Sequence, residues 1–475
     1  MGETAASSPP TPEQVRRKWQ RRKRLLKRAI YVVLTLALLD LVGTFATGLM
    51  LRGELARARS RGDLLTIKQL TPQVPSGQAN AADLYLMAFS ARHVPEGEDG
   101  RISNLGSTPT SRWSDDDTAL VRRVAGGNAR YYRMLTEASR IPGCAFPVDW
   151  SAGPAMTFPH DARLREAARM LQMRATLMAR DGQIGSVLAD CATMLRMAEH
   201  AKLDPTVIGQ IVGYAIQDIA VQSVQRALSQ GTPSPEVARA LMDQIAAIDQ
   251  AAAFRHALKG EAPVFGMPVY AMLRHGSAQV EWGELLGLQS ADQPRWMNVV
   301  LYSYRSVGRP IANLDEITYL RASARYIAAS GLPWPQSREG IEATDQWLRK
   351  APLYRGALAR MMLPTLTRAL ESGQTKAAAL DAASIALALT VYRSQRGSYP
   401  SSLAQLEHDG FKLPADPFGG KSFRFRRDAS GVVVYSVGPD MEDDGGRPLN
   451  ISRHLNDEQR REAQSHYDIP FQLPG

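Results

Sequence analysis

Residues 29–51 read AIYVVLTLALLDLVGTFATGLML, twenty-three positions carrying a single charge. As a helix this run extends about 35 Å, enough to cross the hydrocarbon core of a bilayer. A cleavable signal peptide has an apolar region of about 7–15 residues. Here the run is longer and 28 residues precede it. It is therefore expected to be an uncleaved anchor, with cleavage at the small residues Ala46-Thr47-Gly48 as the alternative. Nine Lys or Arg residues between Arg16 and Arg28 precede the run, and Arg52, Arg57, Arg59 and Arg61 follow it. The excess of positive charge on the N-terminal side predicts that this end stays in the cytoplasm and the body lies outside. Asp40 sits near the middle of the span. A carboxylate there is costly, so it is either a tolerated, water-reached group or a functional one facing another transmembrane helix.

The charge balance narrows the function classes. The net charge is +10, and residues 1–61 hold 13 basic against four acidic groups, so the remaining 414 residues carry only +1. The basic character belongs to the membrane flank, which argues against a nucleic-acid partner. The two cysteines, Cys144 and Cys191, have no zinc-type spacing. In an extracytoplasmic body they form either one disulfide or two separate apolar thiols.

The expected fold is mainly α. Residues 1–28 form a basic cytoplasmic tail whose Pro-rich start, 1–14, has the composition of disorder. Residues 52–113 read as a connector with one short helix near 80–92 and loops at PEGEDG and SNLGSTPTS. Residues 114–372 read as an all-α body of helical hairpins. Ser114 is an N-cap, and Asp115, Asp116 and Asp117 fill the first turn, so capping accounts for the three acids without a metal. Helices follow over 161–181 and 184–202, from Asp204-Pro205 to about 229, and from Ser234-Pro235-Glu236. Short Gly or Pro loops make them antiparallel neighbours, loosely like an α-solenoid, although no fixed 34-residue signature is present. The Gly- and aromatic-rich segment 260–310 has a weaker pattern.

The C-terminal part changes character. Residues 376–396 form a strongly apolar helix, followed by a turn and a short helix at GSYPSSLAQL. SFRFRRDASGVVVYSVG alternates as a β-hairpin turning at Asp428–Gly431, so 376–450 is an α+β module and 451–475 a tail. The features are a helix ending in Val391-Tyr392-Arg393, then Gly397-Ser398-Tyr399-Pro400, Leu403, Leu406, Leu413-Pro414-Ala415-Asp416-Pro417-Phe418-Gly419, the hairpin, and Tyr435-Ser436-Val437-Gly438-Pro439-Asp440. In this order they resemble the C-terminal region of the major, G-type pseudopilins of type II secretion systems. The resemblance covers about 70 residues. It departs from the family in having no prepilin-peptidase site before Ala29 and in lying some 330 residues from the membrane span. It implies a pseudopilin-like module on a membrane-anchored protein, and calcium in the loop after the hairpin. The implied ligands are the main-chain carbonyl of Val437 and the carboxylates of Asp440, Asp443 and Asp444, the last two closer to Asp440 than the family's later acids.

The residues themselves point the same way in part: GPDMEDDGG crowds four carboxylates beside glycines, an oxygen-rich loop of the kind calcium takes, or a solvated acidic turn. An EF-hand is excluded because its twelfth position would be Ile451. Asp416 reads as a turn residue capping backbone amides. Catalytic signatures are missing: there is no H-E-x-x-H, no G-x-S-x-G and no S-x-x-K, and Gly420-Lys421-Ser422 lacks the first glycine of a P-loop. His160-Asp161, His200 and His256 remain as isolated candidates. The expected function is an extracytoplasmic, inner-membrane-anchored interaction or scaffold protein with envelope or secretion proteins as partners. The alternative is an envelope hydrolase with its site in the helical body.

Overall fold

The computed structural model describes residues 12–275, 308–428, 431–448 and 467–475. Most of segment 260–310, the centre of the expected hairpin turn and most of the expected tail, including Ile451, lie outside the described residues. The protein is mainly helical, with a small antiparallel sheet at its C-terminus and an apolar helix at its N-terminus.

Helix α1 (Pro12–Ser60) runs unbroken through the basic segment, the apolar run and beyond. At 1.5 Å per residue its 49 residues extend about 73 Å. Its apolar stretch is bare: Tyr31 and Phe45 are each 70% exposed. Burial begins on one face only, at Thr47, Leu51, Glu54 and Ala58. Their 4-3-4 spacing is one helical stripe, and half-buried Asp40 and Gly43 lie on the same stripe.

The expected connector is built into the body. Helix α2 (Ile67–Leu70) is short and closed by a Thr66–Gln69 capping box, α3 is Ala81–Ala91 and α4 is Asp99–Ser107. The loop expected around SNLGSTPTS is thus largely helical, because Ile102, Leu105 and Gly106 fall on one face and bury it against α7 (Pro159–Arg180). Between them lie α5 (Asp115–Gly127) and α6 (Ala129–Arg140). Ser114 caps α5 as expected, with Asp117 closing the box, and Arg101 pairs with Asp116 and Asp117.

Helices α7, α8 (Ile184–Ala201) and α9 (Val207–Gln230) pack on one another as a layer, followed by α10 (Pro235–Ala246) and α11 (Gln250–Glu261). A π-helical turn, Ala262–Gly266, leads into α12 (Met267–His275). The next described helices are α13 (Arg309–Ala329), α14 (Trp334–Lys350) and α15 (Ala357–Met362). The stripe of α1 packs on α13. Asn313 donates to Thr47 Oγ1 at 3.1 Å, and Arg321 meets Glu54 at 2.9 Å.

Helix α16 (Pro364–Arg396) spans 33 residues and crosses the 372–376 boundary expected between body and module. Its Ile385, Leu387 and Leu389 share a core with Leu164, Leu195 and Ile216 of the body. After the short α17 (Leu403–His408), strands β1 (Arg424–Asp428) and β2 (Gly431–Ser436) pair antiparallel as expected. A third strand, β3 (Ile469–Pro474), adds to the other edge of β2, so the expected tail ends as part of the sheet. Phe471 and Leu473 alternate inward on β3 and bury that face against α16.

Candidate functional site

The acidic loop begins where β2 ends. Asp416 anchors it from below: its carboxylate is 2% exposed and accepts from Phe418 N at 2.9 Å, Ser436 Oγ at 2.7 Å and Val437 N at 3.0 Å. This is the amide-capping role expected of it. Within the loop, Asp440 and Asp443 each accept a backbone amide two residues on, from Glu442 and Gly445. Met441 adopts a left-handed φ of 65°. Asp443 also accepts from the Tyr435 hydroxyl at 2.9 Å and pairs with Arg424 at 3.2 Å.

A further acid joins from the far end of the chain. Asp468, 1% exposed, accepts from Gly446 N, while among the described residues one oxygen of Asp468 and one of Asp444 have no hydrogen-bond partner. Burial, with the Asp444 and Asp443 charges beside it, pushes the Asp468 carboxyl up to about 6. Sequence reasoning missed this residue because nothing local marks it; the pairing of β3 with β2 brings it in.

The helical body holds a second group. His160 and Asp161 open α7 after Pro159, and Asp204 lies in the loop before α9, whose N-cap is Thr206. His160 Nε2 stands 2.9 Å from Asp204 Oδ2 and 3.7 Å from Asp161 Oδ1. The three residues are 4%, 5% and 3% exposed. Among the described residues, this is the one set of three His, Cys, Asp or Glu side chains whose ligand atoms all lie within 4.8 Å of one another. Phe146 stacks on the His160 ring at 4.3 Å and 10°, which holds its plane. Both oxygens of Asp161 lack a hydrogen-bond partner among the described residues. Burial pushes this carboxyl up to about 6, partly offset by His160. The sequence marked His160-Asp161 and left it isolated, since Asp204 is 44 residues away.

The other isolated histidines stay apart from this set. His200 meets the Tyr85 hydroxyl through Nδ1 at 3.0 Å, and burial drives its pKa down to about 4. His256 is half-buried in α11 against Leu70, and burial lowers its pKa. Cys144 and Cys191 are both buried free thiols, so the apolar-thiol alternative holds. Burial pushes the Cys144 thiol up to about 12. Asp40 lies on the face of α1 that meets the first turn of α13, where Pro310 sits 3.2 Å from the position a Cβ on Gly43 would take. Its Oδ1 has no hydrogen-bond partner among the described residues.

A cleft of about 410 Å³ opens between α9, α11 and α16, lined in part by Tyr214, Asp249, Gln250, Gln374 and Asp381. Burial first, then the neighbouring Asp416 charge, pushes the Asp381 carboxyl up to about 7. A carboxyl raised on folding holds its proton more tightly in the native state. Its contribution is complete below about pH 4 and is lost as pH rises through about 7. Asp381→Asn is therefore expected to leave stability at pH 4 nearly unchanged and to raise it at pH 8 by about 4 kcal/mol. Denaturant unfolding at the two pH values checks this.

Compared with protein-family models, curated proteins and solved structures, the chain matches none.

Proposed function

We propose that the protein is a membrane-anchored extracytoplasmic scaffold whose helical body is held at the bilayer surface and whose C-terminal α+β module is a calcium-stabilised, pseudopilin-like docking unit. The observation that carries this reading is the division of α1. Residues 29–39 of its apolar stretch are exposed among the described residues, and its last turns, from Leu51 to Ala58, are part of a core. An unbroken helix of this kind joins body to membrane without a flexible linker, which suits a protein that positions others. The basic flank favours a cytoplasmic N-terminus. Asp440, Asp444 and Asp468 with the Val437 carbonyl would hold calcium, which supplies charge neutralisation to a loop crowded with carboxylates. Unpartnered oxygens on Asp444 and Asp468 fit such an ion.

Crosslinking of the tagged full-length protein in membranes, with and without a calcium chelator, tests both parts. The expected result is a reproducible set of envelope or secretion proteins that is lost on chelation. The protein recovered alone in both conditions overturns the scaffold reading.

A second reading, an envelope hydrolase, is favoured by the cleft beside Asp381, where polar groups converge on a pocket of small-molecule size.

A further inference from the structure

We propose that His160, Asp161 and Asp204 bind one divalent transition-metal ion, zinc first, which ties the start of α7 to the loop between α8 and α9. Donor atoms bonded at about 2.1 Å to a common tetrahedral or octahedral ion stand about 3.0–3.4 Å apart. The observed separations from His160 Nε2, 2.9 and 3.7 Å, bracket that interval. A hydrogen bond to Asp204 accounts for the shorter one. It leaves Asp161 unexplained: a carboxylate 5% exposed, with both oxygens unpartnered among the described residues and one of them 3.7 Å from the same imidazole nitrogen. The helix N-terminus favours negative charge there, yet Asp161 accepts no backbone amide, so capping does not explain its position. A cation shared with His160 and Asp204 does.

The donor set selects the ion. An imidazole nitrogen disfavours calcium and magnesium. One nitrogen and two carboxylate oxygens suit zinc or manganese. Phe146 stacked on the ring holds it in place, so little rearrangement is needed. Cys144 is close enough to feel the Asp204 charge, but its sulfur does not belong to the set.

The site is independent of the acidic C-terminal loop, and the test separates them. Full-length protein in detergent is stripped with chelator, then given zinc, manganese or calcium chloride, desalted, and measured for bound metal and thermal unfolding. The expected result is about one zinc per chain with a rise in Tm of about 5 °C. Asp161→Asn keeps the side-chain shape and removes the buried charge. This variant is expected to fold, to melt no lower than the stripped wild-type protein, and to lose the bound zinc and its Tm rise. His160→Ala should behave alike in metal content; should it fail to fold, Asp161→Asn alone decides. Wild-type protein retaining no zinc overturns the proposal. So does Asp161→Asn retaining as much zinc as wild type, which would place the ion elsewhere. A calcium-induced Tm rise that survives Asp161→Asn belongs to the C-terminal loop and leaves the zinc result to stand alone.

Discussion

Asp416→Ala is expected to destabilise the C-terminal module by about 4 kcal/mol. Three donors, the Phe418 and Val437 amides and the Ser436 hydroxyl, converge on this buried carboxylate. A buried donor left unsatisfied costs about 1–3 kcal/mol, and alanine supplies no replacement acceptor. Asp416→Asn keeps one acceptor oxygen but turns an NH2 group toward the remaining donors, so its cost is expected to be about half as large. The consequence reaches the acidic loop, because Val437 is both tied to Asp416 and the last residue before it. Hydrogen exchange checks the effect. Loss of protection at the Phe418 and Val437 amides, with the α7–α9 layer unchanged, is the expected pattern. Wild-type protection in the alanine variant would refute it.

Gly260→Ala is expected to cost about 3 kcal/mol, although alanine normally stabilises a helix by about 1 kcal/mol over glycine. A Cβ at Gly260 would lie 1.9 Å from the Pro205 carbonyl oxygen and 2.7 Å from its carbon. These are backbone atoms, so the end of α11 has to move away from the loop it holds. The next residue, Glu261, accepts the Val207 amide at 2.6 Å, an interaction the same displacement breaks. The loop concerned carries Asp204. Gly260→Ala is therefore also expected to draw Asp204 away from His160. Chemical denaturation gives the stability change, and exchange at the Val207 amide reports the loosened loop. A variant as stable as wild type would show that α11 shifts freely, and with it that Asp204 is not held from that side.

Much of the local structure was legible because it depends on neighbours in sequence. The capping box at Ser114, the Pro at the first turn of α10, the hairpin strands and the Asp416 turn are each written within a few residues. The apolar run was legible too, since length and hydropathy alone determine whether a helix is long enough to span a bilayer. The division of that helix was not. Thr47, Leu51, Glu54 and Ala58 differ from the residues before them by what α13 places against them. Helix α4 and the full length of α16 were not legible for the same reason. Ile102 and Leu105 become a core face only because α7 lies opposite, and α16 continues past 372 because the body's apolar faces cover it on both sides of that point.

The candidate sites divide in the same way. The sequence by itself determined the chemistry on offer: an acidic, glycine-rich loop at 438–446, a His-Asp pair opening a helix, and an Asp-Pro loop before the next one. Only the tertiary structure decided which of these meet. Antiparallel packing of α7, α8 and α9 returns Asp204 to His160 and Asp161 across 44 residues. Pairing of β3 with β2 brings Asp468 beside Asp443 and Asp444. The physical reason is that local propensity depends on the nearest few residues, whereas a site needs side chains a few ångströms apart in space, and chain reversals alone set that distance.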